Sequence, residues 1–304
     1  MQDHLMCGPS LEVKDGVKTT DMLQNPEIIE AAIKQYNTDS TGPLSQGGGY
    51  TFAYTPLCNF LNTTTPEDIT SLLDTHLTAS SNSTYQHPNP LARSSQTSFA
   101  RSILTSPSHT SATTLFIQNQ FHPGKNLSSA EFALSEPGNY ISLITQLAHP
   151  FSRGSVHITS SNPHDHPRIQ PNYLSHPLDA EVLARHLLQL HELSKLSPLS
   201  DFLKPAGRTL PSNEAWPPKS VEEAKDFARK NSTSNYHPSG TCAMMKQEMG
   251  GVVDARLRVY GTKNLRVVDA SIFPIEPRGN ILTSVYAAAE KGAAMIAEDL
   301  SDKR

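Results

Sequence analysis

Thirteen histidines are the main supply of side chains in this chain that can accept a proton near pH 7, as an enzymatic base must. Composition alone does not single out any of them. His164 and His166 flank Asp165, but no second group of ligands accompanies this pair, so we expect a solvated loop and no metal site. Ser239 lies in the run HPSGT, which does not fit the G-x-S-x-G pattern of a hydrolase nucleophile. These residues therefore favour neither a metalloenzyme nor a serine hydrolase.

Charge and cysteine content exclude further classes of protein. The 304 residues include 25 Lys+Arg and 29 Asp+Glu, a formal net charge of -4 with no block of like charges, so we expect no nucleic-acid or anionic-membrane partner. Cys7, Cys58 and Cys242 lie far apart and predict no disulfide framework. No apolar run approaches the roughly 18 residues that span a bilayer, so we expect no membrane span. A small-molecule partner fits best.

Four helices are predicted from local signals. Asn25 and Thr65 each precede a proline, a combination of capping residue and first-turn proline that starts helices. An apolar stripe over residues 179–196 predicts a longer helix. Ser220 and Glu223 form the capping-box pattern of another.

Strand signals lie between these helices. Alternation of side chains over residues 114–121, 140–147 and 155–159, separated by short turns, predicts antiparallel neighbours. The polar stretch 80–98 predicts a surface loop or lid, and we expect residues between about 45 and 120 to shape a pocket. The fold class predicted is α+β, an antiparallel sheet flanked by helices.

The last seventy residues have a different character. Residues 252–253, 256–259 and 265–268 are apolar enough to predict short strands. Residues 281–300 are rich in alanine and predict a helix that packs closely against a sheet or a ligand.

These same segments carry a family resemblance. The run NYHPSGTCAMM, which begins at Asn235, and two later segments are similar to the C-terminal signature of the glucose-methanol-choline flavoprotein oxidoreductases. Two earlier segments resemble the substrate-domain signature of that family, and Gln2, Asp3 and His4 resemble the end of its N-L-Q-D-H element. The later segments are 251–274 and 277–299, and the earlier ones are 150–156 and 167–179.

The resemblance implies a catalytic pair. His237 matches the family's catalytic histidine, which would take the hydroxyl proton of an alcohol while hydride passes to FAD. Asn280 stands where family members carry histidine or asparagine, and its neutral amide would steady the substrate oxygen. Asn280 also suits a second role, as cap of the helix that follows.

The resemblance also implies where the flavin lies. Gly279, Asn280 and Ile281 would lie near the ring, because a helix N-terminus favours the negative charge of a reduced flavin. Asp269 and Ala270 match positions that approach the ribityl and pyrophosphate portion. Without the family, Asp269 is equally well explained as a turn or cap residue.

The family likeness predicts three parts of the chain. Residues 1–10 would end a segment of the FAD-binding α/β domain, 11–234 would form the substrate-binding domain, and 235–304 would be the C-terminal segment of the FAD-binding domain. The partners implied are an alcohol substrate, primary or secondary, and oxygen or a quinone as electron acceptor.

One family motif has no counterpart in the chain. The dinucleotide fingerprint G-x-G-x-x-G is absent, because Phe52 stands at the third required position after Gly47 and Gly49. The chain therefore resembles the back half of a family member, and an N-terminal FAD-binding half would be missing. Three hypotheses remain: an alcohol-oxidising enzyme part, a silent truncated homologue or split-enzyme half unable to bind FAD alone, and a non-redox, cyclase-like relative.

Overall fold

A computed structural model describes residues 1–45, 50–57, 64–78, 104, 112–118, 139–211 and 216–301. The main helices are α1 (Pro26–Asp39), α2 (Pro66–Leu73), α3 (Pro177–Ser194), α4 (Leu199–Phe202), α5 (Val221–Asn231) and α6 (Leu282–Ser301). The strands are β1 (Leu5–Cys7), β2 (Ser10–Glu12), β3 (Tyr50–Thr55), β4 (Ala112–Gln118), β5 (Tyr140–Leu147), β6 (Ser155–His157), β7 (Arg168–Gln170), β8 (Thr209–Leu210) and β9 (Thr233–Ser234). Short 3-10 turns cover Thr20–Gln24, Pro43–Ser45, Gln247–Met249 and Ala270–Ile272, and a π-helical turn covers Asp74–Thr78.

Seven of the strands form one antiparallel sheet in the order β3-β4-β5-β1-β9, with β2 beside β5 and β8 beside β2. Strands β6 and β7 pair separately. This confirms the predicted α+β class. The predicted strand 114–121 begins two residues earlier in the structure, and its last three residues lie outside the described part, as does the predicted lid at 80–98.

Strand β5 is the centre of the sheet and pairs with both β1 and β2. The switch between these two short strands occurs at Gly8, where a Cβ would overlap the carbonyl oxygen of Leu143 on β5. The next residue, Pro9, accepts a hydrogen bond from the Leu143 N–H at 2.8 Å. Only glycine lets the two backbones approach this closely, so it fixes the path of the N-terminal segment.

The main core lies between this sheet and helix α3. Leu178, Leu183 and Leu187 are completely buried on α3, and Phe227 on α5 packs into the same cluster with Trp216. Both helices begin at capped N–H groups: the His176 side chain accepts the Leu178 N–H, and the Ser220 hydroxyl accepts the Glu223 N–H. Only this half of the predicted capping box forms, because the Glu223 carboxylate accepts the Lys219 N–H instead of the Ser220 N–H.

The C-terminal region has its own small core, centred on Val253, Leu257 and Ile272. The strands predicted there are wrong: only isolated bridges form, such as that between Val253 and Val259. The reason is local, because the Asp254 carboxylate accepts the backbone N–H groups of residues 256 and 258 and withdraws them from a ladder. The predicted helix 281–300 is confirmed as α6. No helix in the described ranges is long and apolar enough to cross a bilayer.

Helix α3 provides a direct test of the core. Replacing Leu183 with Ala should lower the free energy of unfolding by about 2 to 5 kcal/mol, because the site is fully buried and leaves a cavity. The matched change Leu196→Ala, at a side chain 47% exposed, should cost less than about 1 kcal/mol. Urea unfolding followed by circular dichroism measures both, and equal losses would contradict this core assignment.

Candidate active site

The first four residues pair with the loop that carries His237. Gln2 and Ser239 exchange two backbone hydrogen bonds of 2.9 Å each, and the Asn235 N–H donates to the His4 carbonyl at 2.9 Å. Strand β1 continues this pairing against β9. Two chain segments more than 200 residues apart are therefore held side by side.

His237 lies in this paired region and is half-buried. Its Nδ1 atom is 3.0 Å from Nδ1 of His4, and the two rings meet edge to face at 81°. The preceding residue, Tyr236, has a φ of 59°, in the left-handed region that bulky residues rarely adopt. The Ser234 hydroxyl accepts the Tyr236 N–H at 2.8 Å and helps to hold this turn, which sets the direction of the His237 side chain.

Asp3 accepts hydrogen bonds from two residues of the loop that carries His237 and from Tyr173. Its Oδ1 accepts the His237 backbone N–H at 3.1 Å, and its Oδ2 accepts the hydroxyls of Tyr173 at 2.5 Å and Ser234 at 2.6 Å. Burial, together with the bond to Asp3, raises the pKa of Tyr173 to about 12, so this phenol stays a donor. These three donors fix the orientation of the Asp3 carboxyl group.

Glu276, which lies near His4, is a carboxyl group buried without a hydrogen-bond partner in the described part of the chain. It is completely buried, neither carboxyl oxygen takes part in a hydrogen bond in the described part of the chain, and Oε1 lies 3.9 Å from His4 Nδ1. Burial, reinforced by the charge of Asp3, raises its pKa to about 9, and Arg153 opposes the rise only in part. Glu276 is therefore a neutral carboxylic acid at pH 7.

Both imidazoles of the pair are neutral at pH 7. Burial, and then the proximity of His237, lowers the pKa of His4 to about 3. Burial lowers the pKa of His237 below its usual 6.5, while the charge of Asp3 opposes this. A neutral imidazole is the form that accepts a proton.

The predicted flavin neighbours lie in two adjoining segments. The carbonyl of Ala270 accepts the Gly240 N–H at 3.3 Å, which connects this segment to the His237 loop. Asp269 is exposed, and its carboxylate accepts from both the N–H and the hydroxyl of Ser271. Its capping role is thus present, and its role toward a cofactor stays a prediction.

Gly279 and Ile281 are buried, and Asn280 between them is exposed. Gly279 has a φ of 74°, and a Cβ there would lie 2.6 Å from the Tyr54 hydroxyl. The described residues include no hydrogen bond between Asn280 and His237. The structure thus joins His237 to His4, which in turn lies beside Glu276, and the pairing of His237 with Asn280 stays a prediction.

Two residues of this site, His4 and Glu276, could not be identified as functional from the sequence. In the sequence His4 stands out only as part of the Q-D-H motif, and no local pattern connects it with His237. Glu276 carries a weak signal, since it is the lone carboxylate in the otherwise apolar run IFPIEP. Among the described residues there is no group of three or more His, Cys, Asp or Glu suited to hold a metal ion.

The buried acid makes stability depend on pH in a defined direction. As pH rises above about 4.5, Glu276 ionises in the unfolded chain while the folded chain keeps its proton up to about pH 9. The wild type should therefore lose up to about 1.4 kcal/mol of unfolding free energy per pH unit relative to Glu276→Gln. The exposed control Glu30→Gln should follow the wild type at every pH.

Urea unfolding at intervals between pH 5 and pH 8 checks this. An unfolding free energy for Glu276→Gln that runs parallel to the wild type across this range would show that Glu276 is ionised in the folded chain.

Comparison with known proteins identifies the relatives. A family model described as GMC oxidoreductase matches residues 150–289. A dehydrogenase of Monascus purpureus is 32% identical over 98% of this chain and 47% of its own length, and a glucose oxidase of Penicillium chrysogenum is 37% identical over 49% of this chain and 25% of its own length.

Solved structures agree in fold. An FAD-dependent oxidoreductase from Chaetomium thermophilum superposes with a TM-score of 0.78 and 22% identity, over 99% of this chain and 48% of that one. A fungal aryl-alcohol oxidase gives 0.75 and 24%, over 99% and 48%. The chain spans about half the length of the relatives that it matches from end to end. Residues 150–289 thus match the C-terminal domain of glucose-methanol-choline oxidoreductases, and the chain as a whole is similar to about half of a family member.

Proposed function

We propose that this chain supplies the substrate-binding and proton-accepting part of an FAD-dependent oxidoreductase that oxidises a primary or secondary alcohol. The observation that carries the proposal is His237: a neutral, half-buried imidazole, held by Asp3 and His4, within the family's C-terminal signature. The relatives that bear on the activity include a glucose oxidase and an aryl-alcohol oxidase, both named for substrates with hydroxyl groups.

The N-terminal end of α6 fits one end of FAD. The first N–H groups of any helix have no partner within it, and they attract negative charge, which suits the pyrimidine side of a reduced flavin. Beside this end the backbone turns at Gly279, and Leu282 and Tyr286 are 64% and 66% exposed, an apolar surface against which an aromatic ring could pack. Gly279, Asn280 and Ile281 would hold the ring, and Asp269 and Ala270 the chain that follows it.

The adenine end of FAD would not be held by the motif that usually binds it. The glycine fingerprint that normally receives the pyrophosphate at a helix N-terminus is absent from the sequence. The fit is therefore to the flavin end alone, and the adenine end requires residues supplied by a further FAD-binding portion.

The chemistry of this chain would be proton transfer and orientation. FAD, when bound, supplies a hydride acceptor, and oxygen or a quinone would later take the electrons. His237 would accept the hydroxyl proton as the alcohol carbon loses hydride, and its lowered pKa keeps it ready to do so at pH 7. Asn280 would donate its amide hydrogen to the alcohol oxygen and keep the hydroxyl directed at His237.

We assign the parts of the chain accordingly. Residues 11–234 would line the alcohol site, and residues 1–10 and 235–304 would adjoin the FAD-binding portion. What supports the second boundary is the separate small core of the C-terminal region. Strand β1, by contrast, packs in the main core through Leu5 and Cys7, so the first segment contributes to both.

A second candidate function has an observation in its favour. Helix α6 buries only Gly292 among its residues, although it is rich in alanine, and Leu300 at its end is 61% exposed. An apolar helix without a covering layer favours a chain that acts only when joined to another polypeptide. Alone, the chain would then be a silent half of a split or truncated enzyme.

A reconstitution experiment separates the two candidates. The 304-residue chain, incubated with FAD and desalted, should remain colourless, because lost pyrophosphate contacts weaken binding by about a thousandfold or more. The same chain mixed with a polypeptide covering the unmatched N-terminal portion of the Monascus purpureus dehydrogenase should retain a flavin absorbance band. Yellow protein from the chain alone would contradict the need for a second portion.

The role of His237 is tested on the reconstituted, flavin-loaded protein without oxygen. His237→Ala should leave the flavin absorbance in place and slow its bleaching by an alcohol by about 100-fold or more, since the proton has no acceptor. In the wild type, the bleaching rate should rise with pH through a pKa below 6.5 and then stay level. His164→Ala, at an exposed loop residue, is the control and should bleach as the wild type does. Unchanged bleaching in His237→Ala would refute its role as base.

A further inference from the structure

We propose that His4 is a positioning residue for His237: it accepts a hydrogen bond from Nδ1–H of His237 and thereby leaves Nε2 as the atom that accepts the substrate proton. This inference rests on the proposed function for its catalytic meaning, but the tautomer of His237 is a property of the chain itself.

The far side of the His4 ring faces a backbone carbonyl group. Its Nε2 lies 3.1 Å from the carbonyl oxygen of Ala148. A carbonyl oxygen can only accept, so a hydrogen bond at this distance requires a proton on His4 Nε2. Without that proton, two lone pairs would face each other in a buried site, where an unmade hydrogen bond costs about 1 to 3 kcal/mol.

His4 carries no second ring proton. It is completely buried, and His237, His149 and Glu276 surround it. None of these offsets a positive charge: His237 and His149 oppose it, and Glu276 is neutral at pH 7 with its nearest oxygen 3.9 Å away. With its one proton on Nε2, the Nδ1 atom of His4 holds a lone pair.

The contact between the two rings then has one solution. The Nδ1 atoms of His4 and His237 are 3.0 Å apart, a hydrogen-bond distance that requires one proton between them. His4 has none to give at that atom, so His237 must donate. A neutral His237 has a single ring proton, and its Nε2 is therefore the free base.

This arrangement suits proton transfer from an alcohol. When Nε2 of His237 takes the hydroxyl proton, the ring becomes a cation whose Nδ1–H still points at the lone pair of His4. The proton stays on Nε2 and the Nδ1–H bond does not break, so His4 stabilises the charged ring without changing its own protonation. Asp3 acts on the backbone N–H of His237 and cannot set the tautomer.

Two substitutions separate the hydrogen bond from simple packing. In His4→Asn, the amide oxygen takes the place of Nδ1 and can still accept from His237. In His4→Leu, the volume remains but the acceptor is lost. Only His4→Leu should allow His237 to carry its ring proton on either nitrogen.

The measurement is a multiple-bond ¹H–¹⁵N spectrum of the 304-residue chain labelled at histidine, at pH 7 and without FAD. Signals of His237 are assigned by their absence in His237→Asn. We expect Nδ1 protonated and Nε2 unprotonated in the wild type and in His4→Asn, and a mixture or the Nε2–H form in His4→Leu. The wild-type spectrum alone decides the case if His4→Leu does not fold.

A wild-type His237 with its proton on Nε2, or a folded His4→Leu that keeps the Nδ1–H form, would overturn the inference. Bleaching of the reconstituted protein gives the second readout: His4→Leu should lower the limiting bleaching rate by about 10-fold or more with the half-saturating alcohol concentration unchanged, and His4→Asn should retain most of the wild-type rate. If His237→Ala bleaches normally while the tautomer is as expected, the proposed function fails and this assignment stands.

Discussion

The antiparallel pairing of Gln2–His4 with Ser234–Ser239 is the constraint on which the site depends. It is made of backbone hydrogen bonds between segments from opposite ends of the chain, and it places Asp3 and His4 against His237. Gly8 supports the path of this N-terminal segment, since it lets the backbone between β1 and β2 lie close against β5. Without this pairing, His237 would lie on a loop with no fixed direction.

The cluster that results is costly for the fold. Burying a carboxyl group that makes no well-formed hydrogen bond within the described part of the chain, beside the neutral imidazole of His4, removes polar groups from water with little compensation. Glu276 responds by keeping its proton, and Tyr236 adds a backbone conformation that is unfavourable for its type. Features of this kind concentrate at functional sites, because they hold groups in protonation states that water would not allow. The cost is consistent with selection for chemistry rather than for stability.

Much of the fold could be predicted from the sequence because its signals are local. The starts of α1, α2 and α5 follow from Asn25, Thr65 and Ser220, whose side chains cap the N–H groups that the sequence pattern assigns to them. Strand β5 has the predicted bounds, yet its side chains are buried on both faces rather than on one, and α3 packs against one of these faces. The C-terminal strands were wrong because Asp254 satisfies the backbone locally, a competition that apolar patterning does not register.

Only part of the candidate active site could be predicted from the sequence. His237 was found through a family likeness, and its pairing with Asn280 is still a prediction. The contact between His4 and His237 joins positions 233 residues apart, and no periodicity or spacing reports such a contact. Nor does composition reveal that Glu276 is neutral, because that depends on burial by elements distant in sequence.

The hydrogen bond between His4 and His237 can be measured directly by NMR. A scalar coupling between two nitrogen nuclei passes through an N–H···N hydrogen bond and identifies both partners. In the histidine-labelled chain at neutral pH, we expect a resolved coupling between the Nδ1 nuclei of His237 and His4, with the proton attached to His237. A proton attached to His4 Nδ1, or a His237 Nδ1 that couples to no other nitrogen while its neighbours remain folded, would contradict the account.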